Sequence, residues 1–481
     1  MVFDLLPRGK CRGVVLASAC LFFAGLAVAL EPDPFATQGR VAAAVHGGME
    51  FARENVAPCR FGEVPTPLGL LEAIDRTLCL HPQTRLAWAA AKGRADQLGL
   101  AQSAYWPTLN ATAGSSRTHT RNEYRDMAAL DSDVRVRNNS ASLNLNWVLF
   151  DSGLRRANTE MARQMLAAAN AAHDAALQSV LFETAQLYYL AQARQASLDA
   201  SLAAEKSAHD SQIVAEARYI AGAGSLADKL QAETALAQSR LNRVRADGEL
   251  KNTLGALAVQ IGLPAGSPIT LDSPDASLPS IEFAASLKLL MDEARQQHPG
   301  LLAARAELDA AIARVDSAKA EGRPSISLTG ATARTDSRGQ LPADSINRNH
   351  SIGLQLNVPI FEGFGRSYRI RQATSEVEGK SAELENQVRK TELEVWKAYQ
   401  ALQTEGGNLQ AVSTLLDNAR LSFRISQGRY KGGVGSILEL LNAQSALAGA
   451  EQQQIQAQSN WRIARLQLAA SLGRLGVWAI K

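Results

Sequence analysis

Cysteine is scarce in this 481-residue chain, aromatic side chains make up only 5% of it, and charge of one sign nowhere forms a block. Each shortage excludes something. Four cysteines do not build a disulfide-rich scaffold, and only Cys59 and Cys79 lie beyond the first thirty residues. With 50 basic and 47 acidic residues interspersed, the formal net charge is +3, and no basic stripe of the kind nucleic acid demands stands out. So few aromatics, amid long stretches rich in Ala, Gln, Leu and Ser, suit long, closely packed helices better than one thick core. Beyond Leu30 no run approaches the ~20 apolar residues of a spanning helix. A membrane-embedded mature chain must then be a closed β-barrel. Catalytic groups are also wanting: the seven histidines are scattered, and no metal-ligand spacing, nucleophile turn or phosphate loop appears. No enzyme activity, metal or cofactor is expected.

What is present begins with an address. Arg8, Lys10 and Arg12 precede an apolar run from Val14 to Leu30 that ends in Ala27-Val28-Ala29 before the first acid of the mature chain, Glu31. This reads as a secretory signal over 1–29. A retained anchor is one alternative; lipidation of Cys20, after Leu16-Ala17-Ser18-Ala19, is another. In an oxidising compartment Cys59 and Cys79 suffice for one disulfide, the other possibility being two free thiols.

The chain then says nearly the same thing twice. His81-Pro82 and Pro107 return as His298-Pro299 and Pro324, both shifted by 217 (298 − 81; 324 − 107). Phe150-Asp151 and Arg218-Tyr219 return as Phe361-Glu362 and Arg429-Tyr430, both shifted by 211 (361 − 150; 430 − 219). A repeat fixes architecture. An N-terminal segment over 30–67, a first copy over 68–262, a linker over 263–283, a second copy over 284–473 and a tail over 474–481 follow. Each copy reads helix, strand pair (108–150; 325–361), very long helix, turn (219–228; 430–439) and long helix. In the strand pairs Leu143, Leu145, Trp147 and Leu149 alternate with polar residues, as do Ile352, Leu354, Leu356 and Val358. A barrel wall in lipid needs this pattern, although a half-buried soluble sheet gives it too. The polar middles, Thr118 to Asn139 and Asp336 to Asn349, are expected as loops.

Four strands cannot close a barrel, whereas three chains supply twelve. Tyr105, Trp106, Phe150 and Phe361 cluster at the helix-to-strand junctions, where aromatics mark a membrane boundary or simply fill the packing. In the second copy Val388, Val395, Leu402, Leu409, Leu416, Phe423 and Tyr430 recur every seven residues, a coiled-coil seam. Glu205 and Gln212 interrupt it in the first. A helix from Gly153 to Ile220 is roughly 100 Å long, a length that suits a tube across the periplasm.

The repeat, the Pro-to-strand junctions and the Tyr-then-Gly turns together resemble the TolC family of outer-membrane efflux and secretion channels, over about Leu68 to Gly473. Within that family the chain looks like the outer-membrane member of a type I secretion system, of the kind that exports an adenylate cyclase-haemolysin toxin. The resemblance implies an α+β membrane protein: a homotrimer with a twelve-stranded outer-membrane β-barrel continuous with a twelve-helix periplasmic α-barrel. It implies partners as well, namely a periplasmic membrane-fusion adaptor, an inner-membrane ABC transporter, the exported protein and outer-membrane lipid. Adaptor docking falls on the tips, at Gly222, Gly224 and Ser225 and at Gly433, Gly435 and Ser436. A periplasmic gate with a cation-selective ring falls on Asp228, Glu439, Tyr430 and Asn442, with Gly435 standing where the family's arginine would be. Solvated acids at helix starts are the plainer reading of Asp228 and Glu439. Small-molecule efflux competes with protein secretion, and a periplasmic coiled-coil adaptor or structural protein is the alternative of another class.

Overall fold

The computed structural model describes residues 33–41, 61–272, 286–340 and 343–475. The signal over 1–29, Cys20 and Cys59 lie outside them. Cys79 is disulfide-bonded.

Two successions of elements follow the same order. The first is α1 (Leu70–Leu80), α2 (Pro82–Ser103), β1 (Thr108–Asn122), β2 (Ser132–Phe150), α3 (Leu154–Ile220) and α4 (Leu226–Gln260). The second is α5 (Leu287–Gln297), α6 (Pro299–Glu321), β3 (Ser325–Arg338), β4 (Ser345–Asn357), α7 (Gly365–Lys431) and α8 (Ile437–Ser471). Both α3 and α7 have 67 residues, and both α4 and α8 have 35. Among the described residues no helix is long and apolar enough to cross a membrane.

Local chemistry sets the breaks. His81 and His298 are N-caps: their Nδ1 atoms accept from the Gln83 and Gly300 amides at 3.3 and 3.1 Å, with proline at the first helical position where its missing N–H costs nothing. The helices bury mainly alanine and leucine, so they approach closely. On the α7 seam Val395, Leu402, Leu416 and Tyr430 are buried, and Leu409 and Phe423 pack against their clusters. Glu205, the interruption in the first copy, is held on α4 instead, by Arg243 at 2.7 Å and Arg240 at 3.4 Å.

The strands form one antiparallel sheet in the order β1-β2-β3-β4. It departs from expectation at both ends. The stretches read as loops are largely strand: β1 runs to Asn122, β2 starts at Ser132, and β3 and β4 reach Arg338 and Ser345. Charge is commonest in loops, but here every second residue is small or uncharged, so alternation continues through the charged stretch. At the other end β4 stops at Asn357 rather than Phe361, because Pro359 has no N–H for the ladder and restricts Val358 before it.

Around the axis the helices lie as an arc. Beside the sheet the packing order is α2, α3, α6, α7; farther away it is α4, α3, α8, α7. α3 has neighbours on both sides, whereas α7 lies at an edge.

Candidate channel and gate

The register divides the sheet into two unlike faces. Leu109 pairs with Leu145, Trp147 with Leu328, and Leu328 with Leu354, so these side chains share one face with Leu143, Ile326, Ile352 and Leu356. Leu354 and Ile352 are 71% and 80% exposed, a band of apolar surface that water would not tolerate. The other face carries Thr, Ser, Asn, Gln, Ala, Val and Gly and, within the four strands, no charged residue. Lipid suits the first face and a watery lumen the second.

At the sheet-to-helix junctions Tyr105, Trp106, Phe150 and Phe361 are all exposed, from 42% for Tyr105 to 73% for Phe361. Trp147 Nε1 donates to the Tyr105 carbonyl at 2.9 Å, the Arg155 guanidinium lies 4.7 Å over the Tyr105 ring, and Phe361 meets Phe364 edge to face.

The opposite end is made of the two helix turns. Each long helix ends in a Schellman motif: Ala223 N–H bonds Arg218 O and Gly222 N–H bonds Tyr219 O, repeated by Val434 to Arg429 and Gly433 to Tyr430. Gly222 and Gly433 take φ of +71° and +78°. Gly224 and Gly435 are needed for closeness, since a Cβ on either would come within 3.2 and 3.0 Å of the arginine Cβ that begins the motif. Ser225 and Ser436 cap the returning helices, accepting from Asp228 and Glu439 amides at 3.1 Å each.

The two acids behave differently. Asp228 completes a capping box by accepting from Ser225 N–H at 3.2 Å, while Glu439 pairs with Arg429 Nε at 3.1 Å. Tyr430 is only 3% exposed and packs with Ala215, Ala232, Ile437 and Leu440. Burial pushes its phenol above the ordinary range; Arg218 opposes and Asp228 reinforces the shift. Asn442 is exposed on α8, one turn past Glu439.

One tip residue escaped the sequence reading. Arg218, noted there only as a repeat marker, crosses from the first tip to the second: Nη1 donates to the Tyr430 carbonyl at 2.8 Å, and the guanidinium stacks 4.9 Å over the Tyr430 ring. The first repeat thus contacts the second through Arg218, while Gly435 has no side chain to reach Tyr430. Lys229 adds a hydrogen bond from α4 to Glu216 on α3 at 3.0 Å, which raises the ammonium's pKa and lowers the carboxyl's.

A sheet greasy on one side and neutral-polar on the other, joined to a half-tube of long helices, defines a wall segment of a membrane conduit. The chain belongs to the outer membrane efflux protein family, whose profile matches it twice, at residues 73–263 and 290–474, and the resemblance to TolC channels is borne out. It is an outer-membrane export channel protein with a periplasmic helical extension. It is 34% identical to protein CyaE of Bordetella pertussis over 85% of both chains, and 23% identical to the proteases secretion protein PrtF of Dickeya chrysanthemi over 85% of this chain and 88% of that one. Among solved structures, the outer membrane protein VceC of Vibrio cholerae superposes with a TM-score of 0.71 at 21% identity, over 84% of this chain and 96% of that one.

Proposed function

We propose that three copies close into a continuous conduit that carries a protein toxin from a type I secretion machine to the exterior. The observation that supports closure is the pair of open edges. β1 and β4 each have a partner on one side only, and 15- and 13-residue edges facing lipid would leave a row of unpaired backbone groups. A head-to-tail contact that joins β4 to the next copy's β1, and α7 to its α2 and α4, satisfies both layers with one rotation. The exposed junction aromatics Tyr105, Trp106, Phe150 and Phe361 would mark the inner edge of the bilayer. The glycine turns at Gly222, Gly224, Ser225, Gly433, Gly435 and Ser436 would receive the membrane-fusion adaptor of an ABC transporter, and Arg218, Tyr430, Asp228 and Glu439 would hold the tip closed.

Protein cargo is favoured by the likeness to CyaE and to a proteases secretion protein. Mass measurement of the detergent-purified protein tests the architecture: a trimer is expected, and a folded monomer overturns it. Deleting the gene tests the cargo. Loss of an exported protein from the medium with unchanged solvent and dye tolerance supports secretion, whereas the reverse pattern assigns small-molecule efflux.

A further inference from the structure

The outward face carries a second feature above its apolar band. Arg117 pairs in register with Arg137, and Arg137 with Arg338, so three guanidinium groups stand side by side across three strands. Two rungs nearer the helices, Arg334 stands opposite Arg348. By strand parity all five share the face of Leu145, Leu328 and Leu354, and all five are exposed. Like charges directly opposite one another destabilise a sheet. The acids of this face relieve only Arg338, since Asp133 is bound to His119 at 2.6 Å and Asp336 to Arg338 at 3.3 Å. Among the described residues Arg117, Arg137, Arg334 and Arg348 make no ion pair.

A solvated rim would not look like this. At the same heights the lumenal face, which also meets water, offers Thr118, Asn138, Ser337 and Asn347, all neutral. Cationic charge is therefore confined to the side that faces lipid. Its height is informative too. Ile326 and Arg334 are eight residues apart on β3, and Leu149 and Arg137 are twelve apart on β2. At ~3.3 Å per residue and a strand tilt of about 40°, the arginines lie roughly 20 to 30 Å above the inner aromatic edge, at the head groups of the outer leaflet.

We propose that the paired arginine tiers bind the phosphate groups of a phosphorylated glycolipid of the outer leaflet, which bridges the facing guanidiniums. Planar guanidinium suits phosphate through paired N–H···O bonds, and an anion between two facing cations turns their repulsion into attraction. The proposal rests on the barrel reading, but its test does not share that reading's fate, because trimer mass is read separately.

The probe is diphosphoryl lipid A, titrated into detergent-purified trimer and counted by native mass spectrometry. The wild type should retain it, and binding should weaken at least ~10-fold, about 1.4 kcal/mol, when Arg117, Arg137, Arg334, Arg338 and Arg348 are all changed to Gln. Dephosphorylated lipid A should bind the wild type at least ~10-fold more weakly, and millimolar inorganic phosphate should not displace the lipid. Thermal unfolding gives a second reading: lipid A should raise the wild type's Tm and leave the variant's unmoved. Should the five-fold variant not assemble, R334Q with R348Q alone must still lower retention. Equal retention by wild type and variant, phosphate-independent binding, or displacement by free phosphate would overturn the assignment.

Discussion

The two repeats have long helices of equal length and turns closed by the same hydrogen bonds, yet α3 buries 17 of its residues and α7 only 10. Position in the arc, not sequence class, makes the difference. The shift of 211 maps Leu393, Trp396 and Ile425 of α7 onto Phe182, Ala185 and Val214 of α3 (393 − 182; 396 − 185; 425 − 214). The α3 members pack inside the chain; the α7 members are 50, 46 and 53% exposed. One repeat is complete within its own polypeptide, and the other leaves the same kind of surface open, where the proposed ring would place a neighbour.

The largest expected effect breaks that asymmetry at the edge. Trp396→Glu with Ile425→Glu should abolish the trimer in detergent, since each large apolar side chain left unburied forfeits about 1.5 to 3 kcal/mol and each is lost three times. Light scattering or native mass reads the outcome. A trimer formed in normal yield would show that the exposed face of α7 is not the contact between copies.

The next effect separates the tips. Arg218 and Arg429 are equivalent by the same shift, but Arg218 reaches across to Tyr430 while Arg429 stays in its own turn with Glu439. Arg218→Ala should raise the conductance of the resting channel several-fold in a planar bilayer, and Arg429→Ala should do less. Tyr430→Phe should change little, because Arg218 uses the backbone carbonyl and the ring rather than the hydroxyl. If Arg429→Ala opens the channel as far as Arg218→Ala, the cross-tip bond is not what closes it.

A smaller effect concerns the acids. In a narrow mouth, rings of three carboxylates favour cations. Asp228→Asn with Glu439→Gln should therefore lower the preference for potassium over chloride without altering trimer yield. The N-caps themselves, Ser225 and Ser436, are left in place. Unchanged selectivity would leave both acids as ordinary helix-start residues, the capping box of Asp228 and the Arg429 pair of Glu439 being their whole role.

The repeat, the His-Pro breaks, the glycine turns and the strand alternation were legible because each is a local rule with its own residues: proline without a donor, glycine at positive φ, apolar side chains at every second position. Two things were not. The length of the strands was hidden by their charge, though the signal was there: Arg117, His119 and Arg121 alternate with Ser116, Thr118 and Thr120 just as leucines do lower down. Arg218 was hidden for a different reason. Its partner is 212 residues away, and a side chain that bonds another segment's carbonyl leaves no mark in its own neighbourhood. Sequence periodicity tells which face a residue occupies, but not which of two equivalent residues crosses to the other repeat.

The smallest effect sharpens the comparison at the matching helix breaks. His81 and His298 cap equivalent helices in the same way, but His298 sits in a cleft with Gln178, Phe182 and Glu394, and burial lowers its pKa below the ordinary 6.5 despite the opposing pull of Glu394. The neutral ring is therefore the stabilised form, and its contribution is fully present above the unfolded value near 6.5. As pH falls through that value the unfolded chain takes up the proton first, and the contribution is gone once pH has passed the depressed folded value. Protonation also removes the Nδ1 acceptor of the Gly300 N–H. His298→Asn keeps a capping oxygen and cannot titrate, so it should flatten the decline of trimer Tm between pH 7 and pH 5. The flattening is bounded at about 1.4 kcal/mol per pH unit per chain. The same exchange at His81 asks whether the effect belongs to the second cap alone: an equal flattening there would mean that the cleft around His298, and with it this difference between the repeats, has no bearing on acid stability.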